Sequence, residues 1–171
     1  MPRVVISDTS PVHYLVLIGQ ADLMGKLYTE VLVPEAVATE LNQLATPEPV
    51  RRWITHRARM ASSCSRARRR HCFGSIGRFG PRRTPRHSAG SFFAKADLVI
   101  MDDREGVEEA RRLGLTGTGT LGVLDRAAGR GWIDLAPSIA RLRQTNFHVD
   151  PALLAQPANH ALRHSENSVL L

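Results

Sequence analysis

Val4-Val5-Ile6-Ser7-Asp8-Thr9-Ser10-Pro11 is an apolar triplet that runs into a carboxylate and then into a helix start. A short unbroken apolar run is what a strand buried on both faces of a parallel sheet requires. Ser10 reads as an N-cap with Pro11 at the first helical position, where its missing N–H costs nothing. Tyr14, Leu15 and Ile18 then keep helical spacing up to Gly19. The same grammar recurs downstream. Val31-Leu32-Val33 reads as a second buried strand, and Pro34 opens a helix with Glu35 in its first turn and Val37 and Leu41 on one face. Leu98-Val99-Ile100-Met101 is a third strand; a helix follows Asp102-Asp103 from about Arg104 to Leu113 and stops at Gly114. Leu115 to Thr118 reads as a short fourth strand before a helix around Leu121 to Ala128. Pro137 to Gln144, with Ile139 and Leu142, and then Pro151 to Leu154, add helical elements, and the tail from 156 to 171 is weakly patterned. Strands alternating with helices predict an α/β fold, a central parallel sheet with right-handed crossovers.

Between these readable parts lies a different text. Arg51 to Ala96 contains no Asp or Glu, and Arg57 to Phe93 carries ten of the 23 basic residues, so the formal charge of +7 comes wholly from this block. With 171 residues the chain suits one domain, residues 1–155, interrupted by the Arg-rich segment 57–94. That segment is expected to be disordered or irregular. Both cysteines, Cys64 and Cys72, lie inside it without a CxxC pair; with His71 they read as incidental residues rather than a metal site. Met1 to Ser7 has no charged leader region, and no apolar run approaches the 18 or so residues of a membrane span. The expectation is a soluble, cytoplasmic protein with no membrane partner.

In an open parallel sheet, ligands bind beyond the carboxyl ends of the strands. Asp8 and the Asp102-Asp103 pair fall at two such ends, and Glu40, six residues into the helix after the second strand, reaches the same region if that helix runs back across the first strand. Three or four convergent carboxylates suit Mg²⁺ or Mn²⁺, hard cations that prefer oxygen ligands and accept phosphate oxygens in their remaining positions. The chemistry implied is phosphodiester hydrolysis. Each residue also has a plainer role: Asp8 bonding the amides of the turn after it, Glu40 pairing with Arg51 or Arg52 on a solvated helix, and one of Asp102 and Asp103 capping the helix that follows. Receiver domains share such carboxylates, but need a lysine near the last strand that this sequence lacks.

Taken in order, Asp8-Thr9-Ser10-Pro11, Tyr14-Leu15, Val33-Pro34-Glu35-Ala36-Val37 through Glu40-Leu41, Leu98 to Asp103 with Arg104-Glu105-Gly106, and Gly117-Thr118-Gly119-Thr120-Leu121-Gly122 resemble the PIN-domain family, in its branch related to VapC toxins. The resemblance covers roughly residues 3 to 55 and 96 to 155. It implies a three-layer α/β/α sandwich and a Mg²⁺- or Mn²⁺-dependent ribonuclease. Such a ribonuclease is often the toxin of a toxin–antitoxin pair, covered by its antitoxin and commonly a homodimer. It carries catalytic and metal-binding roles onto Asp8, Glu40, Asp102 and Asp103, and places Thr9 and Ser10 beside the first carboxylate. The family also expects a Gly-Glu at the start of a helix before the Leu98 strand, and nothing here matches it.

Codon arithmetic offers a reason. Read one nucleotide later, codons for Arg78 to Phe93 can encode G-L-D-P-G-E-R-R-D-I-A-L-A-L-S-L, the missing segment with its Gly-Glu. Met60-Ala61 must give a Trp in that frame, because ATG-GCN contains TGG, and the family favours a Trp there. The expectation is a compensated pair of frameshifts near residues 55–57 and 94–95, and a copy impaired by the lost ligand. The alternative is a non-catalytic remnant that binds RNA or an antitoxin through the basic segment. In that reading Phe73, Phe79, Phe92 and Phe93 stack on bases.

Overall fold

The computed structural model describes residues 4–63, 76–77 and 96–148, with side chains over 4–57 and 96–148. The elements run β1 (Val4–Ser7), α1 (Thr9–Leu17), α2 (Asp22–Leu27), β2 (Glu30–Pro34), α3 (Glu35–Leu41), α4 (Glu48–Ser63), β3 (Ile76–Gly77), β4 (Leu98–Ile100), α5 (Arg104–Arg112), β5 (Thr116–Thr118), α6 (Thr120–Ala128) and α7 (Leu135–Arg143). The strands pair in the order β3-β2-β1-β4-β5, every neighbour parallel. The four expected strands, three from apolar runs and the short Leu115 to Thr118 stretch, form a continuous parallel sheet flanked by helices, and two residues of β3 extend it beyond β2.

Register sorts the side chains into two faces. Val31, Val5 and Leu98 lie side by side in one row, and Leu32, Ile6, Val99 and Gly117 in the next. Because successive side chains in a strand point to opposite faces, the two rows face opposite ways. The first faces the main core, where Val5, Val31, Val33, Leu98 and Ile100 meet Leu15, Met24, Leu27, Leu41, Val50, Leu124 and Leu142. On the second face α5 lies over β5: a Cβ on Gly117 would stand 3.1 Å from a methyl of Val107, so glycine there lets the helix sit close.

Several local details differ from the sequence expectation. The first helix begins at Thr9, with Asp8 as its N-cap, so Pro11 is the third helical residue rather than the first. Proline is tolerated throughout the first turn, which has no intrahelical N–H bonds to lose, so Pro11 did not mark the boundary. Gly114 ends α5 as expected, with φ of 77°. Two helices, α2 and α4, went unread. On α4, Val50 and Ile54 are buried with Trp53 packed beside them, while Arg51 and Arg52 mask this helical stripe in the sequence. Arg57 bonds Asp22 at 2.8 Å and lies 5.3 Å from the Trp53 ring centroid, fastening α4 to α2.

The expected irregular block does not begin where its composition changes, because α4 continues six residues past Arg57 to Ser63. The rest of the block apart from β3, including Cys64, His71, Cys72 and the four phenylalanines, lies outside the described residues, as do Pro151 to Leu154 and the tail. Among the described residues no helix is long and apolar enough to cross a membrane.

Candidate active site

Parallel pairing of β1 with β4 brings their carboxyl ends together, with Ser7 opposite Ile100 and the Asp8 amide donating to the Ile100 carbonyl at 2.9 Å. Asp8 and Asp102 therefore leave the sheet side by side. Asp8 is the N-cap of α1, yet its side chain makes no capping hydrogen bond and has no other hydrogen-bond partner among the described residues. The simpler role, a carboxylate spent on the turn amides, is not what the backbone produces here. The Asp8 backbone has the extended geometry usual for an N-cap, with φ of −80° and ψ of 174°, and the carboxylate still makes no hydrogen bond among the described residues.

Asp102 is held differently. Its Oδ1 accepts from the Thr120 amide at 2.7 Å and its Oδ2 from the Thr120 hydroxyl at 2.6 Å. Thr120 is fully buried and is the first residue of α6, so this carboxylate sits at a helix N-terminus, where the dipole favours negative charge. Burial nevertheless raises the Asp102 pKa above the usual carboxylate value; the Thr120 bonds oppose this and the Asp8 charge adds to it. The backbone must come close for this arrangement to form. A Cβ on Gly119 would stand 2.7 Å from Asp102 Oδ1.

Asp103 does the work of a cap. Its Oδ2 accepts from the Gly106 amide at 2.8 Å at the start of α5. The adjacent carboxylates thus divide, Asp103 toward its own helix and Asp102 toward Asp8. Replacing Asp103 by Ala should cost about 0.5–2 kcal/mol of stability in thermal melts, with a divalent-cation titration unchanged from the parent.

Glu40 is exposed on α3 and accepts a hydrogen bond from the Thr9 hydroxyl at 2.7 Å. It is therefore tied to the residue after Asp8, and not to Arg51 or Arg52; Arg52 pairs with Glu48 at 3.8 Å. Thr9 links the second candidate carboxylate to the first, and Ser10 beside it makes no side-chain hydrogen bond among the described residues. Thr120 was missed by the sequence reading. The available signal was the repeated Gly-Thr of Gly117-Thr118-Gly119-Thr120, small residues that allow close approach alternating with hydroxyls that can donate.

All donors in this group are oxygens, the chemistry a hard divalent cation takes. Among the described residues no three acidic, His or Cys side chains converge as a metal cluster. Two adjacent carboxylates fit a cation that keeps several waters and completes its shell with phosphate oxygens, and Glu40 stands one hydrogen bond away through Thr9.

A family model described as a PIN domain matches residues 4–65 and 91–162, leaving 66–90 unmatched. No curated protein matches the chain.

Proposed function

Because the chain belongs to the PIN-domain family, a nuclease family whose members generally use a divalent metal ion and bind nucleic acid, we propose that it derives from a Mg²⁺- or Mn²⁺-dependent ribonuclease of the VapC-related branch. One observation carries this reading. Two carboxylates leave neighbouring strand ends close enough for the charge of Asp8 to raise the pKa of Asp102, and the Asp8 carboxylate makes no hydrogen bond among the described residues. Two such charges side by side, partly removed from water, oppose each other unless a cation or a proton lies between them.

Asp8 and Asp102 would hold the cation, with Glu40 on the rim and Thr9 setting its orientation. A bound divalent ion would supply Lewis acidity toward a phosphoryl oxygen and an activated water. The protein's own residues orient the site: Thr120 fixes both oxygens of Asp102, Gly119 admits that contact, and the N-terminal ends of α1 and α6 add favourable dipoles for negative charge.

In this reading residues 1–155 form one domain, 156–171 a tail, and the copy is impaired. The unmatched span 66–90 falls inside the basic block 57–94, which supports a compensated frameshift that removed the family's Gly-Glu. A small antitoxin and a second copy of the chain are the partners this branch implies. The acid-free composition of 57–94 favours one other reading, a remnant that binds RNA by phosphate neutralisation without cutting it.

Incubation of the purified chain with end-labelled single-stranded RNA separates the two. Slow cleavage that needs Mg²⁺ or Mn²⁺, stops with a chelator and is absent in Asp8→Asn supports the nuclease. Cleavage that survives Asp8→Asn sinks it, and binding that collapses with salt without any cleavage favours the remnant.

A further inference from the structure

The C-terminal end of α6 and the turn after it carry two arginines and a tryptophan that the carboxylate site does not use. Arg126 donates to the Tyr28 hydroxyl at 3.3 Å, and Arg130, one turn further on, lies 5.1 Å from the Trp132 ring centroid. Both cations act on the buried Tyr28 phenol, opposing the rise in its pKa that burial causes. Arg52, Arg57 and Arg112 each pair with a carboxylate; among the described residues neither Arg126 nor Arg130 does. We propose that Arg126, Arg130 and Trp132 form a second RNA contact, remote from Asp8 and Asp102, in which Trp132 stacks on a base and the arginines take phosphates. The proposal rests on the nuclease reading above and deepens it.

The ring is held in place and left open. Gly131, with φ of 69°, lets its own amide donate to the Ala128 carbonyl at 2.8 Å and the Trp132 amide to the Ala127 carbonyl at 3.0 Å, a left-handed helix ending that fixes the Trp132 backbone. Ile133 next to it packs on the core, yet Trp132 stays 42% exposed. A ring ordered in advance loses little freedom when a base stacks on it. Charge points the same way. Arg126 is half-buried and directs one N–H at an uncharged phenol, so its charge is unbalanced and its fork keeps donors for an anion. A protein partner would need an apolar centre several side chains wide, whereas between Thr120 and His148 Trp132 is the one large apolar side chain that is exposed. One ring among cations fits a polymer that alternates flat bases with phosphates. Helix geometry sets the span: α6 starts at Thr120, bonded to Asp102, and Arg126 and Arg130 lie about 9 and about 15 Å further along its axis. At about 3.4 Å per stacked nucleotide this corresponds to about three to five nucleotides.

The test uses Trp53→Phe, checked for folding by circular dichroism, in which Trp132 is the remaining tryptophan. Labelled RNA is titrated in chelator, where no cleavage competes, reading strand anisotropy and Trp132 emission together. A base-bearing strand is expected to quench Trp132, and an abasic strand of equal length to leave it unchanged. Trp132→Leu in the parent should weaken the base-bearing strand about five- to a hundred-fold and leave the abasic strand unaffected. Arg126→Gln with Arg130→Gln should lower the slope of log affinity against log salt by about 1.4, for two phosphates at about 0.7 each, while Arg126→Lys with Arg130→Lys should keep it. The basic block is the same in every variant and drops out of these differences. An unquenched Trp132, equal quenching by the abasic strand, or an unchanged salt slope overturns the contact. So does a polyglutamate peptide that quenches Trp132 where RNA does not, which assigns the surface to an acidic protein segment instead. Cleavage assays keep the two ideas apart. Divalent-dependent cleavage with Trp132 and arginine variants that bind like the parent removes this contact alone, and quenching without any cleavage in the parent removes the nuclease alone.

Discussion

Shifting the reading frame across codons 57–94 by one nucleotide is expected to raise both the melting temperature and the divalent-dependent nuclease rate, the larger gain being in rate. In that frame the segment written here as Arg78 to Phe93 becomes G-L-D-P-G-E-R-R-D-I-A-L-A-L-S-L, in which a polar start with Pro precedes an apolar run with helical spacing. The sheet offers such a helix one edge of a face. Leu32, Ile6, Val99 and Gly117 form an apolar row on the second face; Ile6 and Val99 are already buried, α5 lies over the β5 end, and Leu32 at the β2 end is only half-buried. Each large side chain removed from water there contributes roughly 1.5–3 kcal/mol. Three such side chains rival the whole stability of an ordinary domain, about 5–15 kcal/mol.

The rate gain has a separate cause. The shifted frame places a Glu at the start of that helix, and under the proposed function a third carboxylate would turn a two-carboxylate site into one that binds the cation without relying on the substrate's phosphates. Frame-restored and present chains should be compared by thermal melts and by single-turnover cleavage of one RNA at saturating Mn²⁺. Equal rates would mean that the shifted-frame segment holds no ligand. Equal melting temperatures would mean that the present residues 57–94 already supply the missing burial.

How far the fold was legible depended on whether one residue type dominated each element. The strands were readable because a both-faces-buried strand must be apolar at every position, as in Val4-Val5-Ile6 and Leu98-Val99-Ile100, so the signal survives in three residues. Helix α4 was not, because its stripe of Val50, Trp53 and Ile54 is interrupted in the sequence by Arg51 and Arg52, of which Arg52 is exposed and pairs with Glu48. At the candidate site, chain order placed Asp8 and Asp102 at neighbouring strand ends. It could not divide Asp102 from Asp103, since that depends on a backbone turn that aims one carboxylate at the Gly106 amide and the other at Thr120. Thr120 was missed for a related reason despite its Gly-Thr signal: its partner, Asp102, lies 18 positions away and is brought near only by the folded sheet and helix layer.

Asp102→Asn is expected to stabilise the cation-free protein at neutral pH and to remove its response to divalent ions. The half-buried Asp102 carboxylate is a cost to the fold when ionised, for burial and the Asp8 charge raise its pKa against the opposing pull of the Thr120 bonds. The sign follows from which form the fold prefers. With the folded pKa above the unfolded value, the stabilisation conferred by the proton is complete below the unfolded value of 3.8 and is lost as pH rises through the folded one. An asparagine carries no charge at any pH and keeps both contacts: its oxygen accepts from the Thr120 amide, and the Thr120 hydroxyl turns to accept from the new NH₂. The variant's advantage in melting temperature should therefore be widest at neutral pH and close on acidification. Adding Mg²⁺ or Mn²⁺ should reverse the order, because the cation binds the ionised pair and stabilises the parent by mass action. Losing one of two carboxylates should weaken cation binding by on the order of 100-fold or more, given that even indirect partners of a metal site are worth about 10–100-fold. Melts of both proteins from acid to neutral pH, with chelator and with each ion, decide the matter. A variant less stable than the parent in chelator at neutral pH, with no ion-dependent rise in the parent, would mean that Asp102 is a structural carboxylate satisfied by Thr120 alone.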